Sequence, residues 1–99
     1  MLPSKLLHIH REEILEILAR YPMISNVRIV GSVARGEDTA GSDIDFLVDT
    51  APRTTLFDIG GLHEDLVDLL GVSVDIISSK GRMHEYMRMT IERDAQPYA

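Results

Sequence analysis

The 99-residue sequence contains no cysteine, which removes disulfides, thiolate metal sites and a cysteine nucleophile, and fits a reducing compartment. It has no run of apolar residues long enough to span a bilayer. Its start, MLPSKLLHIHREEILEIL, carries charges inside the apolar pattern, unlike a secretory leader, so a cytoplasmic location and no membrane partner are expected. Basic charge is also scarce. Ten Lys and Arg stand against sixteen Asp and Glu, a formal net charge of −6. Such a domain repels a phosphate backbone unless a concentrated basic patch offsets it. Arg82, Arg88 and Arg93 are instead interleaved with Glu85, Glu92 and Asp94. Direct nucleic-acid binding is therefore not expected, and phosphates, if handled, would be met through metal ions. The length suits one small domain over 1–99 with a single modest core.

The hydrophobic pattern gives an order of elements. Ser4 is a candidate cap for a helix running to Ala19, with Leu7, Ile14, Ile17 and Leu18 on its apolar face, until Pro22 stops it. Asn26 to Val30 reads as a strand, followed by a turn or short helix through Val33–Arg35 and a polar loop from Gly36 to Ser42. Asp43 to Asp49 reads as a second strand with Ile44, Phe46 and Val48 on one face and Asp43, Asp45, Leu47 and Asp49 on the other. Thr54 or Thr55 caps a helix with Leu56, Ile59, Leu62, Leu66 and Leu70 at helical spacing. Gly71 is its candidate C-terminal cap, and Val72 to Ile77 a third strand. Met83, Tyr86, Met87, Thr90 and Ile91 form a last helical stripe to cover the sheet, and 95–99 is either an edge strand or a loose tail. The fold class that follows is α/β (α+β), a small mixed sheet with helices mainly on one face.

The chemistry concentrates in VGSVARGEDTAGSDIDFLVD, residues 30–49. Alternate strand residues share a face roughly 6.5–7 Å apart, so Asp43 and Asp45 project together. Paired carboxylates repel one another but become favourable around a divalent cation. Asp75, in a separate apolar strand, is the candidate third member, and three carboxylates on one face can hold two magnesium ions. Gly31 and Ser32, at a strand-to-helix turn, offer backbone amides and a hydroxyl to phosphate oxygens. Arg35 is a candidate for the triphosphate's charge, and Ser42 a further candidate nucleotide contact. Taken alone, Gly31-Ser32 is equally an ordinary turn, and Asp43 with Asp45 equally a solvated strand edge. Their combination with Asp75 favours a site.

Other polar residues have plainer readings. Asp49 suits a strand-end role, and Glu37 and Asp38 suit loop solvation. His8, His10, His63 and His84 lack partners at ligand spacing and read as solvated or core histidines. The methionines Met83, Met87 and Met89 read as packing or interface, and Tyr21, Tyr86 and Tyr98 as packing.

Gly31-Ser32 followed by Ala34-Arg35-Gly36, then Asp43-Ile44-Asp45 and Val74-Asp75-Ile76, resembles the nucleotidyltransferase superfamily that includes DNA polymerase beta. The sequence is most similar to its minimal MNT-domain members, the MntA antitoxins of HEPN/MNT toxin–antitoxin pairs, over nearly its whole length. The resemblance implies a polymerase-beta-type fold, with Gly31 and Ser32 holding the triphosphate of ATP and Asp43 and Asp45 binding both magnesium ions. Asp75 would complete the metal site and act as base. It further implies transfer of AMP to a tyrosine of a HEPN-domain ribonuclease toxin, which silences the toxin. Two alternatives stay open: an antitoxin that neutralises by binding alone, and a nucleotidyltransferase acting on a small molecule.

Overall fold

A computed structural model describes residues 1–81 and 83–99. The elements are α1 (Pro3–Ile9), α2 (Arg11–Ala19), β1 (Ile24–Val30), α3 (Gly31–Ala34), β2 (Ile44–Thr50), α4 (Leu56–Leu70), β3 (Val74–Ser78), α5 (Glu85–Asp94) and β4 (Gln96–Pro97). The strands form one mixed sheet in the order β3-β2-β1-β4. β2 is antiparallel to β1 and parallel to β3, and β4 adds antiparallel to β1 as an edge. The parallel pair requires a long crossover, which α4 supplies.

The core lies on one side of the sheet. Ile29, Ile44, Phe46, Val48 and Val74 meet Leu7 of α1, Ile14 and Ile17 of α2, and Leu62, Leu66 and Leu70 of α4. Val30 and Leu47 have the opposite parity and are buried as well. That second face is covered in part by α5, which packs against β1 and α3. The expected mixed sheet with helices mainly on one face is present, α5 being the exception.

Several local expectations need correction. The single helix through Ala19 is two helices joined at His10, whose ψ of 18° leaves the helical range. At this joint the Leu7 carbonyl accepts a hydrogen bond from the Tyr98 hydroxyl at 2.8 Å, tying α1 to the C-terminal segment. Ser4 is not the cap; its own amide donates to Asp38 Oδ2 at 2.9 Å. Asp38 therefore holds the start of α1 rather than merely solvating a loop, and this backbone donor draws its carboxyl below the usual range.

β1 begins two residues earlier than expected because Asn26, at φ 50°, bulges the strand instead of starting it. β2 begins one residue later, so Asp43 is the last residue of the preceding loop. β3 likewise starts at Val74. In α5 the side chains turned inward include half-buried Arg88, Ile91 and Asp94, whereas Tyr86 and Met87 of the expected stripe are exposed. Arg88 sets that orientation by donating to the carbonyls of Ser79 and Gly81. Tyr86 is thus not a packing residue. Around α4 the caps are as read: Thr55 and Asp58 form a reciprocal capping box, and Gly71 ends the helix at φ 69°.

Candidate active site

Strand register builds the site. Asp45 sits in β2 with Asp75 of β3 as its neighbour on one side and Val30 of β1 on the other. Adjacent strands lie about 4.8 Å apart, so the two carboxylates stand side by side on the same face. Asp43 lies two residues upstream, just before the ladder begins.

Immediately after Val30 the chain turns into α3 through Gly31 at φ +76°. A Cβ there would lie 2.5 Å from Asp45 Oδ2. Glycine is therefore required twice over, by the backbone angle and by the carboxylate pressed against it. Ser32 follows directly as the second residue of α3, and no side chain caps the start of that helix. Its first amides are thus left for an anionic ligand. The loop behind returns through a bond from the Glu37 amide to the Ser32 carbonyl at 2.9 Å.

The electrostatics of Asp45 reflect this crowding. Burial, then the charge of Asp75 and a proton shared with it, then the charge of Asp43, push its carboxyl up to about 6 against the opposing pull of Arg35. Among the described residues, no three His, Asp or Glu side chains close around one point. The three aspartates are instead neighbours: a crowded pair, Asp45 and Asp75, with Asp43 alongside. Hard oxygen donors whose mutual repulsion a cation would relieve are the donor set that magnesium takes. The Asp45–Asp75 pair fits such an ion, and Asp43, two residues upstream of Asp45, is the third candidate ligand.

Two further candidate nucleotide contacts have partners within the chain. Arg35 donates to Glu37 Oε1 at 3.1 Å and stands 3.7 Å from Asp94 Oδ2 of α5. It is close enough to act on Asp45 but is tethered by two acids. Ser42 Oγ accepts the Thr39 amide at 2.8 Å and so organises its own loop. Asp49, two register steps further from the site, is a strand-end clamp as read: Arg28 and Ser79 reach its Oδ1 at 2.6 Å, and Asn26 its Oδ2 at 3.0 Å.

His63 had drawn no functional reading. Its Nε2 donates to the Val74 carbonyl at 2.7 Å, and its ring lines an open pocket of about 670 Å³ together with Asp43, Asp75, Val67, Val72 and Ser73. A signal was available. Position 63 falls within the helical stripe Ile59, Leu62, Leu66, Val67 and Leu70, so a polar residue there lies beside buried neighbours.

Comparison with known proteins follows the same geometry. Residues 11–98 match the model of the nucleotidyltransferase domain. The chain belongs to the nucleotidyltransferase-domain family. A curated relative, putative protein adenylyltransferase MJ0126 of Methanocaldococcus jannaschii, is 34% identical over 91 residues, covering 92% of this chain and 89% of its own. A second from the same organism, MJ1217, carries the same description and is 36% identical over 89 residues, covering 83% and 91%. Among solved structures, one described as a putative minimal nucleotidyltransferase is 40% identical with a TM-score of 0.80, covering 95% of this chain and 94% of that one. The fold is shared at lower identity too: a crystal structure described as a toxin–antitoxin with AMP-PNP superposes with a TM-score of 0.74 at 19% identity, over 89% of this chain and 71% of that chain. At that distance the likeness is one of fold. As a nucleotidyltransferase, the chain has its carboxylates and its glycine–serine turn where one face of the sheet brings them together.

Proposed function

We propose that this chain is a single-domain, magnesium-dependent protein adenylyltransferase that moves AMP from ATP to a hydroxyl of a partner protein, acting as the antitoxin of a HEPN-domain toxin in the cytoplasm. The observation that carries the reading is the juxtaposition of Asp45 and Asp75 on adjacent strands with the Gly31–Ser32 turn pressed against Asp45. Gly31 and Ser32 would seat the triphosphate with backbone amides and a hydroxyl. Asp43, Asp45 and Asp75 would hold magnesium, which when bound neutralises charge on the phosphates. Asp75, at the edge of the trio, would take the proton of the incoming hydroxyl. Arg35 would be freed for the phosphates by exchanging Glu37 or Asp94 for them.

Transfer to a protein is supported by the adenylyltransferase descriptions of the relatives. It also suits a domain too small to enclose an acceptor of its own. The toxin partner is supported by the resemblance to MntA antitoxins and by the toxin–antitoxin fold neighbours. Intact mass of a candidate HEPN-domain partner, after incubation with this protein, ATP and magnesium, tests the reading. A gain in whole AMP units that disappears with Asp45→Asn is the expected result. An unmodified partner, neutralised equally by wild type and by Asp45→Asn, would instead leave a binding antitoxin. Transfer to a small acceptor with no protein partner would mark a small-molecule enzyme.

A further inference from the structure

We infer that the two acids around Arg35 have opposite roles in nucleotide binding: Asp94 is a fixed anchor that positions the guanidinium, and Glu37 is an exchangeable partner that the triphosphate displaces. The inference rests on the nucleotidyltransferase reading above and names which acid is given up when Arg35 turns to the phosphates. Its first support is reach. Arg35 follows α3 directly, and its amide donates to the Gly31 carbonyl at 3.2 Å. The two residues are therefore one helical turn apart, and the arginine side chain starts from the face that carries the Gly31–Ser32 turn. Its charge is felt at Asp45. A guanidinium offers five N–H donors in a rigid fork. Nε donates to Glu37 Oε1 at 3.1 Å, while Nη1 faces Asp94 Oδ2 at 3.7 Å. The contacts use different nitrogens, so one can be exchanged while the other is kept.

The second support is the contrast between the two acids. The Glu37 side chain is 64% exposed. Its main chain is held by the bond from its amide to the Ser32 carbonyl, so the side chain can swing into water without disturbing the turn that seats the phosphates. An ion pair this exposed contributes little and is readily replaced by solvent. The Asp94 side chain is 18% exposed. It closes α5, and two residues later Gln96 pairs with Ile29 of β1. The far end of the same helix is held through Arg88 on the carbonyls of Ser79 and Gly81. Asp94 therefore cannot follow a partner that leaves, and losing Arg35 would strip one cation from a largely buried carboxylate. The anchor is the longer contact of the two, so its permanence comes from burial and a fixed backbone rather than from closeness.

Opposite signs follow for the two acids. Glu37 competes with the triphosphate for Nε, so removing its charge favours the nucleotide. Asp94 holds the fork where the phosphates can meet it, so removing its charge lets Arg35 stray and disfavours the nucleotide. The general field predicts otherwise for Asp94. Taking away either acid removes a negative charge near an anion, which by itself would tighten binding in both variants. Looser binding on loss of Asp94 is expected only if Asp94 acts through Arg35. Asp94 is on this account a positioning residue, and Glu37 a competitor that lowers nucleotide affinity in the free protein.

The test is calorimetric titration of the full chain with AMP-PNP at saturating magnesium. Glu37→Gln should lower Kd about threefold, the scale of one exposed ion pair. Asp94→Asn should raise Kd about threefold or more, and Asp94→Glu, which restores the charge, should recover part of the loss. In an Arg35→Gln background the loosening by Asp94→Asn should disappear, and the tightening by Glu37→Gln should shrink. If Asp94→Asn does not fold, Asp94→Glu and the Glu37→Gln comparison with and without Arg35 still decide. Tighter binding by Asp94→Asn, a loosening that persists without Arg35, or a Glu37→Gln variant that binds no better than wild type would overturn the division of roles while leaving the nucleotidyltransferase reading intact. A wild-type chain that binds no AMP-PNP at about 10 mM, roughly the weakest affinity worth reading, would overturn that reading itself.

Discussion

Asp45 carries a conflict between stability and chemistry. Its carboxyl is raised to about 6 by burial and by Asp75 and Asp43, whereas in the unfolded chain it titrates near its ordinary value of 3.8. The folded state therefore binds the extra proton between those values, and stability falls as pH rises through this window. Above about pH 6 the penalty is fully present. Asp45→Asn should remove it, and because the group is half-exposed the gain is on the order of 1 kcal/mol after solvent screening. Thermal melts should show the variant more stable than wild type at pH 7.5, with the difference vanishing near pH 3.5, while AMP transfer is lost. Magnesium should raise the wild-type melting temperature and leave that of the variant nearly unmoved. Gly31→Ala should lose on both counts. A Cβ at φ +76° and 2.5 Å from Asp45 Oδ2 forces the turn or the carboxylate to move. A loss of about 1–2 kcal/mol in denaturant unfolding, together with loss of activity, is expected.

Among the elements, the end of the sheet remote from the site is held by Asp49, where β1, β2 and the turn after β3 meet through Arg28, Asn26 and Ser79. Hydrogen bonds from Ser79 and Asn26, then the Arg28 charge, hold its carboxyl below the usual range. A depressed pKa contributes stability above the unfolded value, lost as pH falls through the folded one. Asp49→Asn should thus cost about 1 kcal/mol at pH 7 and little near pH 3, read from urea midpoints at both. Much of this frame was legible in sequence because it depends on short-range rules. Strand parity placed Asp45 with the carboxylate face, and the Thr55 and Gly71 caps of α4 followed from local chemistry. What was hidden depends on partners distant in sequence. The break at His10 goes with a hydroxyl from Tyr98, and the role of Asp38 comes from an amide at Ser4. The inward face of α5 is chosen by carbonyls at Ser79 and Gly81, which no periodicity within the helix announces. Gly61 is a similar case. It looks like a weak point in α4, yet a Cβ there would lie 2.9 Å from the Tyr21 hydroxyl, which donates to Asp65.

For the molecule as a whole, the chemistry and the two most exposed large apolar side chains among the described residues fall at opposite ends of α4. β2 runs from Asp45 beside the site to Thr50, and the chain then enters α4 at Leu56 and Phe57. These two side chains are 86% and 92% exposed, more than any other large apolar residue among those described. Helix α4 returns toward the site over about 22 Å before Gly71 releases β3. Because neither side chain packs against the core, Leu56→Ser with Phe57→Ser should change unfolding free energy by no more than about 0.5 kcal/mol. Because both lie a helix length from Asp75, the double variant should bind AMP-PNP and magnesium with wild-type affinity. Calorimetric melting and a nucleotide titration check the two expectations separately. A drop in melting temperature of several degrees would mean that these residues pack against the domain after all. A loss of nucleotide affinity at unchanged stability would mean that the two ends of α4 are coupled, and that the site is not confined to the Asp75 corner of the sheet.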